Sequence, residues 1–253
     1  MRLTVLGSSG TYDTPGRPSS GYLLQHESTK IWIDAGPGTF PALQSVTDFV
    51  AIDAIVISHV HPDHCTDLFG YYHAVRYGPR PRNGVPLYCP AGVPERLEAF
   101  LTGHVAPEKD HYMRDIFDFR VVGEDDTAQI GEISLRFAIA DHPPPTIACR
   151  AEADGRVFAY SADTGPGGDW QELVRDAGLF LCEAGFQGDA ADKPWPHHLT
   201  AGEAGEIAKR ANVRRVMITH LWPPLDPKRS VLEAEAAFGR EVELAVPGLT
   251  VKI

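Results

Sequence analysis

The run His59-Val60-His61-Pro62-Asp63-His64 packs four side chains able to bind metal into six residues. It directly follows Ala54-Ile55-Val56-Ile57-Ser58, an apolar, β-branched stretch of the length expected for a buried parallel strand. Side chains two apart in extended chain share a face, so His59 and His61 can reach one ion together. Pro62 ends strand pairing, and the turn it starts carries Asp63 and His64 toward a second ion. Imidazole and carboxylate donors suit zinc, manganese or iron, and two such ions close together suit hydrolysis.

The same form, a β-run ending in a ligand type, recurs three times. Leu135-Arg136-Phe137-Ala138-Ile139-Ala140 leads to Asp141-His142, Val157-Phe158-Ala159-Tyr160-Ser161 leads to Ala162-Asp163, and Arg215-Val216-Met217-Ile218-Thr219 leads to His220. In an α/β sheet, groups just beyond the strand ends gather on one edge. His59, His61 and His142 are therefore assigned to one ion, and Asp63, His64 and His220 to the other. Asp163 is the natural bridge, because a carboxylate has two oxygens. The cofactors expected are two divalent ions, zinc first, with manganese or iron as alternatives.

These residues need strands to present them. Strand-like runs fall at 3–7, 21–26, 30–35, 53–58, 85–89, 117–122 and 133–140, then in a hairpin 147–151/156–161 turned by Asp154-Gly155, then at 179–183, 214–219 and 249–253. Helical patterns fall near 67–77, 93–102, 169–177, 201–211 and 228–239. For the helix near 201–211, Thr200 and Glu203 have the spacing of a capping box. Hairpins in each half, followed by strand–helix units, predict an α/β (α+β) fold of two packed sheets with helices outside, as one domain over 1–253. Gly and Pro cluster at 7–21, 34–41, 141–146 and 163–168, where loops would build a site.

With 23 Lys and Arg against 34 Asp and Glu, the formal charge is −11. Two divalent ions would offset about four of those charges, leaving an acidic surface that repels nucleic-acid phosphates. The four cysteines, Cys65, Cys89, Cys149 and Cys182, are scattered without a C-x-x-C pair, which favours reduced thiols over disulfides or a zinc knuckle. The opening residues already form a strand, unlike a signal peptide, and no apolar stretch reaches the roughly 20 residues that span a bilayer. A cytoplasmic protein without membrane contact is expected.

Ser58-His59-Val60-His61-Pro62-Asp63-His64, His142, Ser161-Ala162-Asp163-Thr164 and Thr219-His220 together resemble the metallo-β-lactamase superfamily over nearly the whole chain. Leu181-Cys182-Glu183-Ala184-Gly185-Phe186, followed by His198-Leu199-Thr200-Ala201, is similar to the ribonuclease Z-like branch. The resemblance implies a four-layer αββα sandwich, two zinc ions, phosphodiester hydrolysis and pairing into homodimers. It also implies that His198 faces the scissile phosphate as acid or charge stabiliser, oriented by Glu183. On chemical grounds Asp63 is expected to hold and orient the nucleophilic hydroxide as well as bind its metal.

Departures from that pattern bear on substrate. Bacterial ribonuclease Z carries a tRNA-gripping arm after the residue matching His142, whereas only twenty residues separate His142 from Asp163 here. The glycine usual before the bridging aspartate is Ala162, a change expected to leave ligand geometry intact. The cysteine and histidine zinc site of the phosphonate-pathway cyclic phosphodiesterase is absent. The chain is most similar to small, arm-less enzymes described as atypical class II cyclic-nucleotide phosphodiesterases, through Gly7-Ser8-Ser9-Gly10, Ser20-Gly21-Tyr22-Leu23-Leu24, Asp115-Ile116-Phe117-Asp118 and Phe180-Leu181-Cys182-Glu183-Ala184. The reading that results is a dinuclear-metal phosphodiesterase for small anionic diesters such as 3′,5′-cyclic AMP. Three alternatives compete with it: a tRNA 3′-end endonuclease, a lactonase, thioesterase or sulfatase of the same superfamily, and a non-catalytic metal-binding protein. His26, His73, His104, His111 and His197 match no ligand position and are expected to be structural or on the surface. Trp195 and Trp222 either stack on a base or cap the core. Ser8, Ser9 and Ser20 are weaker candidates to donate to a phosphate.

Overall fold

Along strand after strand both alternating faces are apolar, and each face is used against a different layer. The computed structural model describes residues 1–103 and 112–253, so His104 and His111 lie outside the described residues. β1 (Arg2–Gly7), β2 (Gly21–His26) and β3 (Thr29–Ile33) run antiparallel. β4 (Ala54–Val56), β5 (Val85–Cys89) and β6 (Phe117–Val121) then add in parallel. The second half repeats the plan. β7 (Thr127–Ile130), β8 (Ile133–Ile139), β9 (Ile147–Ala153) and β10 (Arg156–Tyr160) are antiparallel, and β11 (Leu179–Glu183), β12 (Val216–Thr219) and β13 (Glu243–Leu244) follow in parallel. β14 (Thr250–Lys252) returns to pair with β1, giving, among the described residues, two sheets of seven strands, β14-β1-β2-β3-β4-β5-β6 and β13-β12-β11-β10-β9-β8-β7.

Tyr22 and Leu24 of β2, Ile31 and Ile33 of β3, and Leu179 and Leu181 of β11 meet in the core between the sheets. Their alternates turn outward: Leu23 and Trp32 pack under α1 (Thr39–Val46), α3 (Asp67–Tyr77) and α4 (Val93–Thr102), with the short α2 (Pro62–Cys65) at the strand ends. Phe180 and Cys182 pack under α5 (Ala201–Arg210) and α6 (Pro227–Phe238). The result is the four-layer αββα sandwich, and each fully buried Leu, Ile or Phe contributes about 1.5–3 kcal/mol to it. Among the described residues no helix is long and apolar enough to cross a membrane.

Local chemistry explains where the elements depart from expectation. The pattern over 169–177 forms a 3₁₀ run, Asp169–Val174, whose Trp170, Leu173 and Val174 still reach the core. Asp176, at φ 55°, then turns the chain away. The loop expected over 34–41 gives way to α1 at Thr39, because Pro41 sits in the first turn, where no amide hydrogen bond is lost. β4 stops its ladder at Val56, and the Ser58 amide donates to the Asp34 carboxylate instead of to a strand (2.7 Å). The hairpin turn at Asp154-Gly155 has both residues at positive φ, the geometry of a two-residue type I′ connection. Thr200 and Glu203 form the capping box in full.

Candidate metal centre

The parallel strands and their hairpins end at one edge, and the loops leaving them carry every candidate ligand. His59 and His61 leave β4, Asp63 and His64 sit on α2, His142 follows β8, Asp163 follows β10, and His220 follows β12. His59 Nε2 lies 3.0 Å from His61 Nδ1, and His142 Nε2 lies 3.2 Å from the same atom. Asp163 Oδ2 stands 3.8 Å from His59 Nε2 and 3.3 Å from His220 Nε2. Asp163 Oδ1 is 3.3 Å from His64 Nε2, and Asp63 Oδ2 is 3.5 Å from that nitrogen and 3.2 Å from His220 Nε2. Among the described residues two ligand clusters share Asp163, His59-His61-His142-Asp163 and Asp63-His64-Asp163-His220, and a third group, Glu183-His198-His220, adjoins the second through His220.

The donor set fits two metal ions. Nitrogens bound tetrahedrally at about 2.0–2.1 Å stand roughly 3.3–3.4 Å apart, close to the spacings here. His64 Nε2 and Asp163 Oδ1 are buried without a hydrogen-bond partner among the described residues, although they face each other. Orphaned buried polar atoms are costly, and a cation between them removes that cost. Burial pushes His59 well below its ordinary pKa, helped by repulsion from His64, and burial also lowers His61 and His142. All three therefore offer neutral imidazole lone pairs, the form a metal needs. Burial alone would lower His64 too, but the carboxylates of Asp163, Asp63 and Asp34 lift it well above the usual value. Asp163 and Asp63 stay ionised: burial would raise both, and the facing histidines outweigh it.

Asp34 was missed in the sequence. It is fully buried at the end of β3, and its carboxylate accepts from the Ser58 amide and hydroxyl, the Tyr160 hydroxyl (2.8 Å) and His64 Nδ1 (2.8 Å). The bond to Nδ1 fixes the tautomer that leaves His64 Nε2 open for a ligand role. The signal was present, since Ile31-Trp32-Ile33-Asp34 is also a β-run ending in a ligand type. The Thr11 amide, donating to Asp63 Oδ2 at 2.8 Å, was missed for a different reason: a backbone donor leaves no trace in residue type.

His198 Nδ1 bonds Glu183 Oε1 at 2.9 Å, and its ring stacks on His220, 5.6 Å between centroids. Burial would lower His198, but the Glu183 carboxylate raises it to about 9. Glu183 is fully buried and also accepts from the amides of Thr164, Gly185 and Leu199 (2.9, 3.0 and 3.2 Å). His197 is turned away, pairing with Asp141 at 3.1 Å. Ala162 sits at φ 54°, where a Cβ costs about 1–2 kcal/mol, and Asp163 beside it still reaches both ligand clusters. One expectation needs correction. Ser8 and Ser9 give their hydroxyls to the Ala245 and Tyr12 carbonyls, and Ser20 is buried, so none lines the site. Cys65 is a buried thiol whose pKa burial pushes up to about 12. His26 pairs with Asp154 and His73 with the Phe69 carbonyl, both structural contacts.

The clusters open into a cleft of about 590 Å³. Trp195, Trp222, Phe186 and Pro194 wall it, His61, Asp63, Asp163, His220 and His198 form its floor, and no Lys or Arg among the described residues lines it.

Comparison with known proteins gives a consistent picture. The family model described as "Beta-lactamase superfamily domain" matches residues 29–221. The uncharacterized protein ML1173 of Mycobacterium leprae is 35% identical, covering 100% of this chain and 89% of the relative. The crystal structure of the metallo-beta-lactamase fold protein YhfI from Bacillus subtilis superposes with a TM-score of 0.84 at 23% identity, covering 99% of each chain. Ribonuclease Z of Natronomonas pharaonis is 26% identical over 302 aligned positions, covering 100% of this chain and 98% of the relative.

Proposed function

The chain belongs to the beta-lactamase superfamily domain family and is a metal-dependent hydrolase, and from that premise we propose that the bond it cleaves is a phosphodiester in a small substrate, 3′,5′-cyclic nucleotides first among them. The observation that carries this reading is the Glu183–His198 pair, a buried carboxylate holding a protonated imidazole in the same cleft as the two ligand clusters. A fixed cation there suits the negative charge that grows on a phosphoryl group, and a proton is at hand for a departing alkoxide.

His59, His61 and His142 would hold one ion, Asp63, His64 and His220 the other, and Asp163 both. When bound, such a pair supplies deprotonated water near neutral pH and neutralises a phosphate oxygen. The protein does the rest. The Thr11 amide and His220 fix the Asp63 carboxylate, and Asp34 fixes the ring plane of His64. Glu183 takes up Nδ1 of His198, so the proton to be delivered sits on Nε2. As the P–O bond to the leaving group breaks, Nε2–H donates to that oxygen.

Size and lining support a small substrate. The cleft volume lies within the roughly 300–1,000 Å³ of small-molecule sites. Trp195 and Trp222 are 64% and 41% exposed at its mouth, an exposure that folding alone does not reward. A nucleobase stacked on such a ring gains about 1–3 kcal/mol. The tight β9–β10 hairpin leaves no room for an arm, and a wall without basic residues among those described offers RNA little backbone neutralisation. The test is a side-by-side assay of metal-loaded protein on 3′,5′-cyclic AMP, 2′,3′-cyclic nucleotides, bis(p-nitrophenyl) phosphate and a precursor tRNA. Turnover of the small diesters with the tRNA intact is expected, whereas cleavage of the tRNA alone would overturn the reading.

A further inference from the structure

Lys193 has no part in the chemistry described so far, yet its side chain is only 7% exposed, and lysine is seldom buried. Its ammonium donates to the His198 carbonyl (2.8 Å) and to both Glu203 oxygens (2.9 and 2.7 Å), so all three protons are used. Glu203 in turn accepts from the Thr200 amide (2.8 Å) within the capping box of α5. The ammonium thereby ties residue 198 to the start of a packed helix. His198 is held at three points: its ring by Glu183, the amide that follows it by Glu183 again, and its own carbonyl by Lys193. The first two leave the ring free to pivot about the carboxylate, and the third fixes the peptide from which the ring projects.

From this geometry we propose that Lys193 is a positioning residue for His198, setting the line along which Nε2–H meets the leaving oxygen. The proposal rests on the acid role given to His198 above. A lysine needed only to pair with Glu203 could do so from solvent at lower desolvation cost, without reaching the carbonyl.

Two diesters separate positioning from simple stability. Bis(p-nitrophenyl) phosphate releases a phenolate that needs no proton, whereas 3′,5′-cyclic AMP releases an alkoxide that does. In Lys193→Met, kcat on the cyclic nucleotide is expected to fall about tenfold or more with KM little changed. Turnover of the nitrophenyl ester and the metal content should stay near wild type. Lys193→Arg should restore most of the loss, and Glu203→Gln, which leaves the bond to the carbonyl, should lower stability without the split between substrates. Exchange of the Leu199 amide should quicken in Lys193→Met, a readout independent of turnover. Equal losses on both substrates, or unchanged Leu199 exchange, would overturn the proposal. If the wild-type protein cleaves neither diester, the phosphodiesterase reading falls and the exchange result alone decides the role of Lys193. Should Lys193→Met fail to fold, Lys193→Gln carries the same comparison.

Discussion

Asp163 gives one oxygen toward His64 and the other toward His59 and His220, so its removal should disturb both clusters at once. Asp163→Ala is expected to hold fewer than two ions per chain by elemental analysis; a fully metallated variant would sink the bridging role. His198 stands apart, since it belongs to neither cluster that shares Asp163, and the proposed reading gives it a role in the reaction alone. His198→Ala should keep its metal and lose on the order of 10²–10⁴-fold in kcat on a cyclic nucleotide. Loss of metal in parallel with activity would instead make His198 a ligand. At this scale the sequence was most legible where chemistry sits in side chains at strand ends. The seven ligand candidates, His198 and Glu183 were read from residue types and motifs. Asp34 was overlooked because a buried carboxylate among apolar neighbours reads equally well as the first residue of a loop.

The elements place those side chains through close backbone contact. Gly36 lies against α2: a Cβ at that position would stand 2.0 Å from the Asp63 carbonyl oxygen. Beside it, the Ala35 amide donates to the His64 carbonyl at 2.7 Å, so the end of β3 and the ligand helix are docked without slack. Gly36→Ala is expected to cost on the order of 1–3 kcal/mol in chemical denaturation and to weaken binding of the second ion in particular. Wild-type stability and two bound ions in that variant would show that the contact has room to give. Strand positions were legible because β2, β3 and β11 are short, mostly buried apolar runs and β8 alternates buried with exposed residues. Helix α1 and the 3₁₀ run at 169–174 were not, because a first-turn proline resembles a loop and two 3₁₀ turns match the i, i+3, i+4 spacing of an α-helix.

Across the whole molecule, two half-folds of similar plan meet at an edge where Asp34, Asp63 and Asp163 are buried within one cluster. Like charges so placed repel, and bound cations turn that repulsion into cross-linking between the two sheets. Chelation should therefore lower Tm by about 10 °C or more, given roughly 3 kcal/mol per well-saturated ion and 2–4 °C per kcal/mol at this size. An unchanged Tm after complete removal of metal would mean the ions are peripheral to the fold. The four-layer architecture was legible from the motif resemblance, and Trp195 and Trp222 were named as candidates, but that their loops converge on one cleft shows only in three dimensions.

The most direct test of a two-metal hydrolase for small phosphodiesters is to titrate zinc into metal-free protein while following hydrolysis of 3′,5′-cyclic AMP. Activity should rise until two ions are bound per chain and then level off. Binding of two ions with no hydrolysis of this or any other small diester would contradict the account.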